Sequence, residues 1–247
     1  MSKKKVAIIG AGLAGTSLAY ELSKSQNLSI TMFDKNSQIA AESSGNYAGI
    51  LRPYITNDNN YSEQFHSLGY ELLSEFIGIH RERLDICAKG VVHLLSNPKE
   101  LNRYTKIFSK RDISTDIAHI LDAKQTSMLL KSQTEYSSIY YPNALSVIPK
   151  QLCELWLELS GADIQLNKEL VNISKLRNIW QLDFTDTQLE FDIVIFAGAY
   201  KLVDKIDYLR NIPVFPSQGQ LTLTEKVADI DITAMEKGYI IPNFKNN

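Results

Sequence analysis

The feature that most constrains this chain lies at its start. Val6-Ala7-Ile8-Ile9 is an unbroken apolar run, the pattern of a central parallel strand covered on both faces. It leads straight into Gly10-Ala11-Gly12-Leu13-Ala14-Gly15, after which Ala14, Leu18, Ala19 and Leu22 recur at helical spacing as far as Lys24. A strand, a glycine turn and a helix in that order put the helix's unpaired N–H groups at the turn, where they and the helix dipole favour an anion. In the G-x-G-x-x-G fingerprint the first glycine makes the tight turn, the second lets backbone approach a pyrophosphate, and the third packs helix on strand. Leu28–Phe33 reads as the second strand, and Asp34 ends it about 20 residues on, where a carboxylate accepts hydrogen bonds from an adenosine ribose. Gly10, Gly12, Gly15 and Asp34, with Lys35 beside it, are therefore the candidate ADP-binding residues.

Further on, Phe65, Leu68, Leu72, Phe76 and Ile79 fall at spacings of three and four and mark a second helix whose other face is polar. From about Gly90 to Tyr141 short strands such as Gly90–Leu95 alternate with charged helical stretches, which suits a separate substrate-side layer. Pro149 opens a third helix with Leu152, Leu155, Trp156 and Leu159 on one face, and Gly161 is its natural stop. Trp180, Leu182 and Phe184, then Leu189 and Phe191, alternate with polar residues and predict a small antiparallel sheet. The run Ile193–Ala197 returns to the non-alternating character of the first strand and is expected to rejoin the main sheet, buried like it. Trp156 and Trp180 sit on apolar faces and are expected in the core. The fold expected is α/β (α+β): a Rossmann-like FAD-binding domain, residues 1–85 and 145–205, interleaved with a smaller, mainly antiparallel substrate domain, residues 86–144 and 206–247.

Composition removes several classes of function. The chain of 247 residues is 44% hydrophobic, but no apolar run approaches the roughly 20 residues of a membrane span. Met1-Ser2-Lys3-Lys4-Lys5 reads as a solvated tail before a strand, because glycines and Glu21 interrupt the apolar stretch beyond it. Two cysteines, Cys87 and Cys153, form no framework and no C-x-x-C pair, as expected of a cytoplasmic protein. Lysine plus arginine (26) nearly balances aspartate plus glutamate (28), so any polyanion must be met by a local patch. His66, His80, His93 and His119 lack metal-ligand spacing.

The loop Ala41-Glu42-Ser43-Ser44-Gly45-Asn46-Tyr47-Ala48-Gly49 is rich in small residues and hydroxyls. It reads either as a flexible surface loop or as a cradle for a flavin's ribityl and pyrophosphate, which favours FAD over NAD. Arg52 beside it is either a surface charge or a bidentate clamp for a substrate carboxylate.

VAIIGAGLAG, FDKN, ESSGNYAGILRP, FDIVIFAGAY and PVFPSQGQL together resemble the flavin-dependent amine and D-amino-acid oxidase superfamily. Within it, the resemblance is nearest to the oxidoreductase domain of bifunctional tRNA wobble-uridine modification proteins. It rests on Ser44, Gly45, Asn46, Gly49, Leu51 and Pro53 in SGN-x-x-G-x-L-x-P, on Tyr141, Pro142 and Pro149, and on Gly238, Tyr239 and Pro242. The resemblance implies that Gly10, Gly12, Gly15 and Asp34 hold the ADP moiety, and that Ser44, Gly45 and Asn46 lie near the pyrophosphate and flavin. It further implies that the backbone of Val171 meets adenine and that Ala197 and Gly198 form the turn closing over the cofactor. No cysteine or histidine stands out as an attachment point, so a non-covalent flavin is expected. The implied reaction oxidises the secondary amine of 5-carboxymethylaminomethyl-uridine in tRNA.

Two departures stand out. Asn143-Ala144-Leu145-Ser146 replaces the family's two glycines and aromatic residue. The chain also stops at Asn247, where family members continue, so a further C-terminal segment or a partner chain is expected to complete the substrate sheet. Three readings stay open: a flavoenzyme of tRNA modification, a small-molecule amine or amino-acid oxidase, and a remnant that binds a nucleotide without turnover.

Overall fold

The structure, a computed structural model, describes residues 3–203, 206–225 and 229–244; Met1 and Ser2 of the basic tail lie outside them. In chain order its elements are β1 (Lys4–Ile9), α1 (Leu13–Ser23), β2 (Leu28–Phe33), β3 (Gly49–Leu51), α2 (Tyr61–Ile79), β4 (Ile86–Leu94), α3 (Pro98–Lys110), β5 (His119–Leu121), α4 (Ala123–Leu130) and β6 (Ser138–Val147). Then come α5 (Pro149–Ser160), β7 (Asp163–Gln165), β8 (Leu170–Leu176), β9 (Ile179–Phe184), β10 (Gln188–Phe191), β11 (Ile193–Phe196), α6 (Tyr200–Val203), β12 (Thr233–Met235) and β13 (Tyr239–Ile240). They form two compact units, Met1–Tyr47 with Pro149–Leu221 and Ala48–Ile148 with Thr222–Asn247.

The first unit is built on a parallel sheet of order β11-β1-β2-β7. Successive residues of a strand point to opposite faces, and β1 uses both. Val6 and Ile8 join Ala19 and Leu22 of α1 and Leu157 of α5, while Ala7 and Ile9 join Leu170, Ile173, Leu182, Phe184 and Phe191 of the antiparallel sheet β8–β10. Helices, parallel sheet and antiparallel sheet therefore make three layers, which is why Val6–Ile9 of the first strand has no polar position. Phe33 centres the second interface, 4.5 Å from the Phe184 ring and 5.6 Å, edge-on, from Phe191. Pro149 opens α5, with Leu152, Leu155 and Trp156 buried, and Gly161 comes after it at φ +57°, the left-handed conformation that ends a helix. β11 rejoins the sheet beside β1 as expected. It is an edge strand, however, and its residues are half-buried or exposed rather than covered on both sides.

The second unit holds a six-stranded sheet of order β13-β12-β4-β6-β3, with β5 also paired to β6. All these pairings are antiparallel except β12 with β4. Tyr104 and Ile107 of α3 bury against Val91, Ile139 and Tyr141. The unit boundaries differ from those expected: residues 48–85 belong here, not with the nucleotide-binding unit. The reason is hydrogen bonding, since β3 pairs with β6 and α2 is pinned to the end of α3. Glu63 accepts from Thr56 N (2.7 Å) and Oγ1 (2.6 Å) and forms a two-pronged ion pair with Arg111 (2.7 and 2.8 Å). Residues 206–221 stay with the first unit, where Ile206 is buried among the β8–β10 side chains. Periodicity locates α2 but not its inner face: Phe76 and Ile77 are buried, whereas Phe65, Leu68, Leu72 and Ile79 are exposed. Among the described residues no helix is long and apolar enough to cross a membrane.

Candidate dinucleotide-binding site

A cleft of about 600 Å³ opens at the C-terminal ends of β1 and β2, wholly within the first unit. Gly10, Gly12, Asp34, Lys35, Ser44, Ala197 and Gly198 line it, so most of the residues singled out from the sequence converge there.

The glycines shape the turn by what they leave out. Gly10 has φ +115°, and a Cβ on it would meet the Ala197 carbonyl oxygen at 2.5 Å. On Gly15 a Cβ would stand 1.9 Å from the Gly10 carbonyl oxygen, which is how closely the first turn of α1 packs on the strand end. Gly12 caps α1 without a side chain, and the cap is supplied from 31 residues away: Leu13 N donates to Ser44 Oγ at 3.0 Å. The Ser44 hydroxyl keeps its own proton to donate, and no described group accepts it.

The mouth of the helix is open to an anion. Gly10 N is taken by Phe33 O (2.7 Å) and Ala11 N by Asp34 Oδ2 (2.8 Å). The N–H groups of Gly12, Ala14 and Gly15 have no partner among the described residues. Asp34 is turned toward this mouth: its Oδ1 accepts from Asn36 N and Nδ2, both at 2.9 Å. A carboxylate oxygen accepts about two bonds, so Oδ2 has room for one further donor. Three free amides, one free hydroxyl proton and one carboxylate lone pair are a donor set suited to a diphosphate joined to a sugar hydroxyl.

Other expected residues stand apart from the cleft. Gly15 is outside its lining and packs α1 on the strand end. Gly45 and Asn46 are exposed and outside its lining; a Cβ on Gly45 would meet the Ala40 carbonyl oxygen at 2.2 Å, so that glycine serves the loop's own turn. Val171, expected to act through its backbone, is 53% exposed on β8, and its neighbour Leu170 lines the cleft. Arg52 belongs to the second unit, donates to Pro53 O at 2.9 Å and lies over the Tyr141 ring at 5.3 Å. One of its N–H groups is thus held within its own unit, and burial pushes the Tyr141 hydroxyl up to about 12. Lys168 and Glu169 also line the cleft. They arrive on the loop between β7 and β8, for which the sequence carries no motif, whereas the short Asp34-x-Asn36 spacing was a readable sign of a side-chain-to-backbone turn.

A parallel sheet with a glycine turn opening onto a helix mouth, faced by a carboxylate from the next strand, defines a dinucleotide-binding oxidoreductase fold. The chain belongs to the FAD dependent oxidoreductase family, whose model matches residues 5–247, and FAD is the cofactor of that family. It is 28% identical over 250 residues to the tRNA 5-methylaminomethyl-2-thiouridine biosynthesis bifunctional protein MnmC of Hydrogenovibrio crunogenus, a match covering 97% of this chain and 37% of that protein. The namesake from Burkholderia orbicola is 25% identical over 98% of this chain and 39% of its own length. The chain thus spans well under half of these relatives. Among solved structures it is similar to glycine oxidase from Geobacillus kaustophilus, with TM-score 0.78 and 18% identity over 98% of this chain and 69% of that one. L-alpha-glycerophosphate oxidase from Mycoplasma pneumoniae, solved with FAD bound, superposes with TM-score 0.71 and 18% identity over 96% of this chain and 65% of that one.

Proposed function

We propose that this chain is the oxidoreductase part of a tRNA wobble-uridine modification system acting in the cytoplasm. With FAD bound, it would remove the carboxymethyl group of 5-carboxymethylaminomethyl-(2-thio)uridine and leave the aminomethyl form. The observation that carries this reading is the match, along nearly the whole chain, to proteins named for 5-methylaminomethyl-2-thiouridine biosynthesis.

The work would be divided between the lining of the cleft and the mouth of α1. The amides of Gly12, Ala14 and Gly15 receive the pyrophosphate, with the Ser44 hydroxyl as a fourth donor. Asp34 Oδ2 accepts from the ribose, Lys35 adds charge at the rim, and Ala197 and Gly198 border the far side. FAD, when bound, accepts a hydride from a C–H bond beside an amine nitrogen. The protein's share is to hold that carbon in register, which accounts for much of such a reaction's acceleration. The substrate loses that hydride and the amine proton to become an imine. Water would then add and the C–N bond break to release glyoxylate, the two electrons given to the cofactor being ones that dioxygen would finally take. No histidine base is needed for a neutral amine.

Wobble nucleosides from a deletion strain test this: the carboxymethylaminomethyl form should accumulate, and an unchanged nucleoside profile would refute it. A second reading, a small-molecule amine or amino-acid oxidase, is favoured by the likeness to glycine oxidase. Peroxide release from glycine or sarcosine, with no action on tRNA, would select it.

A further inference from the structure

The outer face of α3 is cationic from end to end. Lys99, Arg103, Lys106 and Lys110 are all exposed and succeed one another at spacings of four, three and four, which puts them in a single row on a helix about 16 Å long. The inner face carries Leu101, Tyr104, Ile107 and Phe108, packed on the sheet of the second unit. Between the two, the exposed residues Asn102, Thr105 and Ser109 are neutral. The helix has one carboxylate, Glu100, half-buried and turned toward His93, with Oε1 3.9 Å from Nε2. Among the described residues Lys99, Lys106 and Lys110 have no ion-pair partner, and Arg103 lies over the Tyr104 ring at 5.2 Å.

This arrangement is one that folding alone disfavours. Like charges at three- and four-residue spacing repel, and Lys99 in the first turn opposes the helix dipole. A chain with 28 acidic and 26 basic residues has carboxylates in plenty with which to lace such a face. Asp112, the next exposed acid, lies beyond the helix end. What a row of unpaired cations gains is the release of counterions from a row of phosphates.

We infer that the outer face of α3 is the surface that grips the sugar-phosphate backbone of the RNA substrate. The inference rests on the tRNA-modification reading and supplies the local patch that a chain of net charge −2 requires for a polyanion. The contact is to phosphates, so it gives affinity and register without sequence preference.

The test uses the FAD-loaded full chain and a tRNA transcript, with binding monitored by fluorescence anisotropy between 50 and 200 mM salt. The variant K99Q/R103Q/K106Q/K110Q should bind at least tenfold more weakly, and its log-affinity against log-salt slope should be shallower by about 4, near one per cation removed. The charge-retaining variant K99R/K106R/K110R should bind like the wild type. An unchanged affinity and slope in the neutralised variant overturns the inference, as does an equal loss in the arginine variant. Loss of binding to phosphatidylserine vesicles, with tRNA binding intact, assigns the face to a membrane surface and also overturns it. Flavin bleaching by carboxymethylaminomethyl-bearing tRNA separates the two levels: if wild type bleaches while the neutralised variant keeps its affinity, only the inference fails. If wild type neither binds nor bleaches with tRNA but bleaches with glycine, the tRNA reading fails and takes the inference with it.

Discussion

Replacing Gly15 by alanine probes the nucleotide mouth most directly, because one methyl group strikes backbone that cannot step aside. The new Cβ would lie 1.9 Å from the Gly10 carbonyl oxygen and 3.0 Å from its carbon, against the 3.4 Å at which ordinary contact begins. The first turn of α1 must therefore withdraw from the strand end by about 1.5 Å, the difference between 3.4 and 1.9 Å. Overpacking of this kind costs about 1–3 kcal/mol, and the roughly 1 kcal/mol that alanine gains over glycine inside a helix offsets part of it. The same shift carries the free amides of Ala14 and Gly15 away from the cleft. Expected are a Tm lower by several degrees, since about 1 kcal/mol moves a chain of this size by 2–4 °C, and FAD binding weakened by at least tenfold, or about 1.4 kcal/mol. The control is Gly69→Ala in α2, where a Cβ meets nothing within 4 Å and helix propensity alone should raise Tm. Thermal unfolding of the apoprotein and a flavin-fluorescence titration measure both effects. If Gly15→Ala kept its Tm and its affinity for FAD, the close helix–strand approach would not be what forms the site.

Ser44→Ala removes the acceptor that caps α1 from across the loop. About 1 kcal/mol of stability should go with it, and FAD affinity should fall further than Tm alone explains; equal affinity would mean that Ser44 only caps the helix. Glu63 is pushed up by burial, but hydrogen bonds from Arg111 and Thr56 and the guanidinium charge outweigh this and hold it below the usual carboxylate range. A depressed folded-state pKa makes its contribution present above the unfolded value and lost as pH falls through the folded one. Chemical denaturation from pH 7 to 3 should therefore show stability falling on the acid side, with a flatter profile for Glu63→Gln; parallel profiles would discount the ion pair. Breaking that half-buried pair outright with Glu63→Ala should cost about 3 kcal/mol, read as a drop in the denaturant midpoint. Burial pushes the Cys153 thiol up to about 11, so iodoacetamide at pH 8 should leave it untouched in the native chain and label it after unfolding, and rapid native labelling would contradict its burial between α1 and α5.

Much of the cleft was legible because its signals are local. Gly10, Gly12 and Gly15 are backbone requirements written at fixed spacing, and Asp34 needs only the end of the next strand to be found. The SGN loop was half-legible: Ser44 reaches the cleft, whereas Gly45 and Asn46 do not line it. Arg52 was unreadable in isolation, since its partner Tyr141 stands 89 residues away. The cationic row on α3 was present in the sequence as spacing, but only its burial pattern shows that the four charges share the solvent side.

By itself, the sequence determined what short-range geometry and period dictate: the strand–turn–helix opening, the parallel return of Ile193–Phe196, the small antiparallel sheet and the helix bounded by Pro149 and Gly161. The tertiary structure alone decided which faces are covered and which unit owns each segment. The physical reason is that periodicity reports that a side chain has a side, while only the packing of distant segments decides what lies against it. β3 goes with β6, and the apolar row of α2 faces solvent, because pairings between residues about 50 to 100 positions apart, the Glu63–Arg111 ion pair and the strand register of Gly49 with Val147, outweigh any local preference.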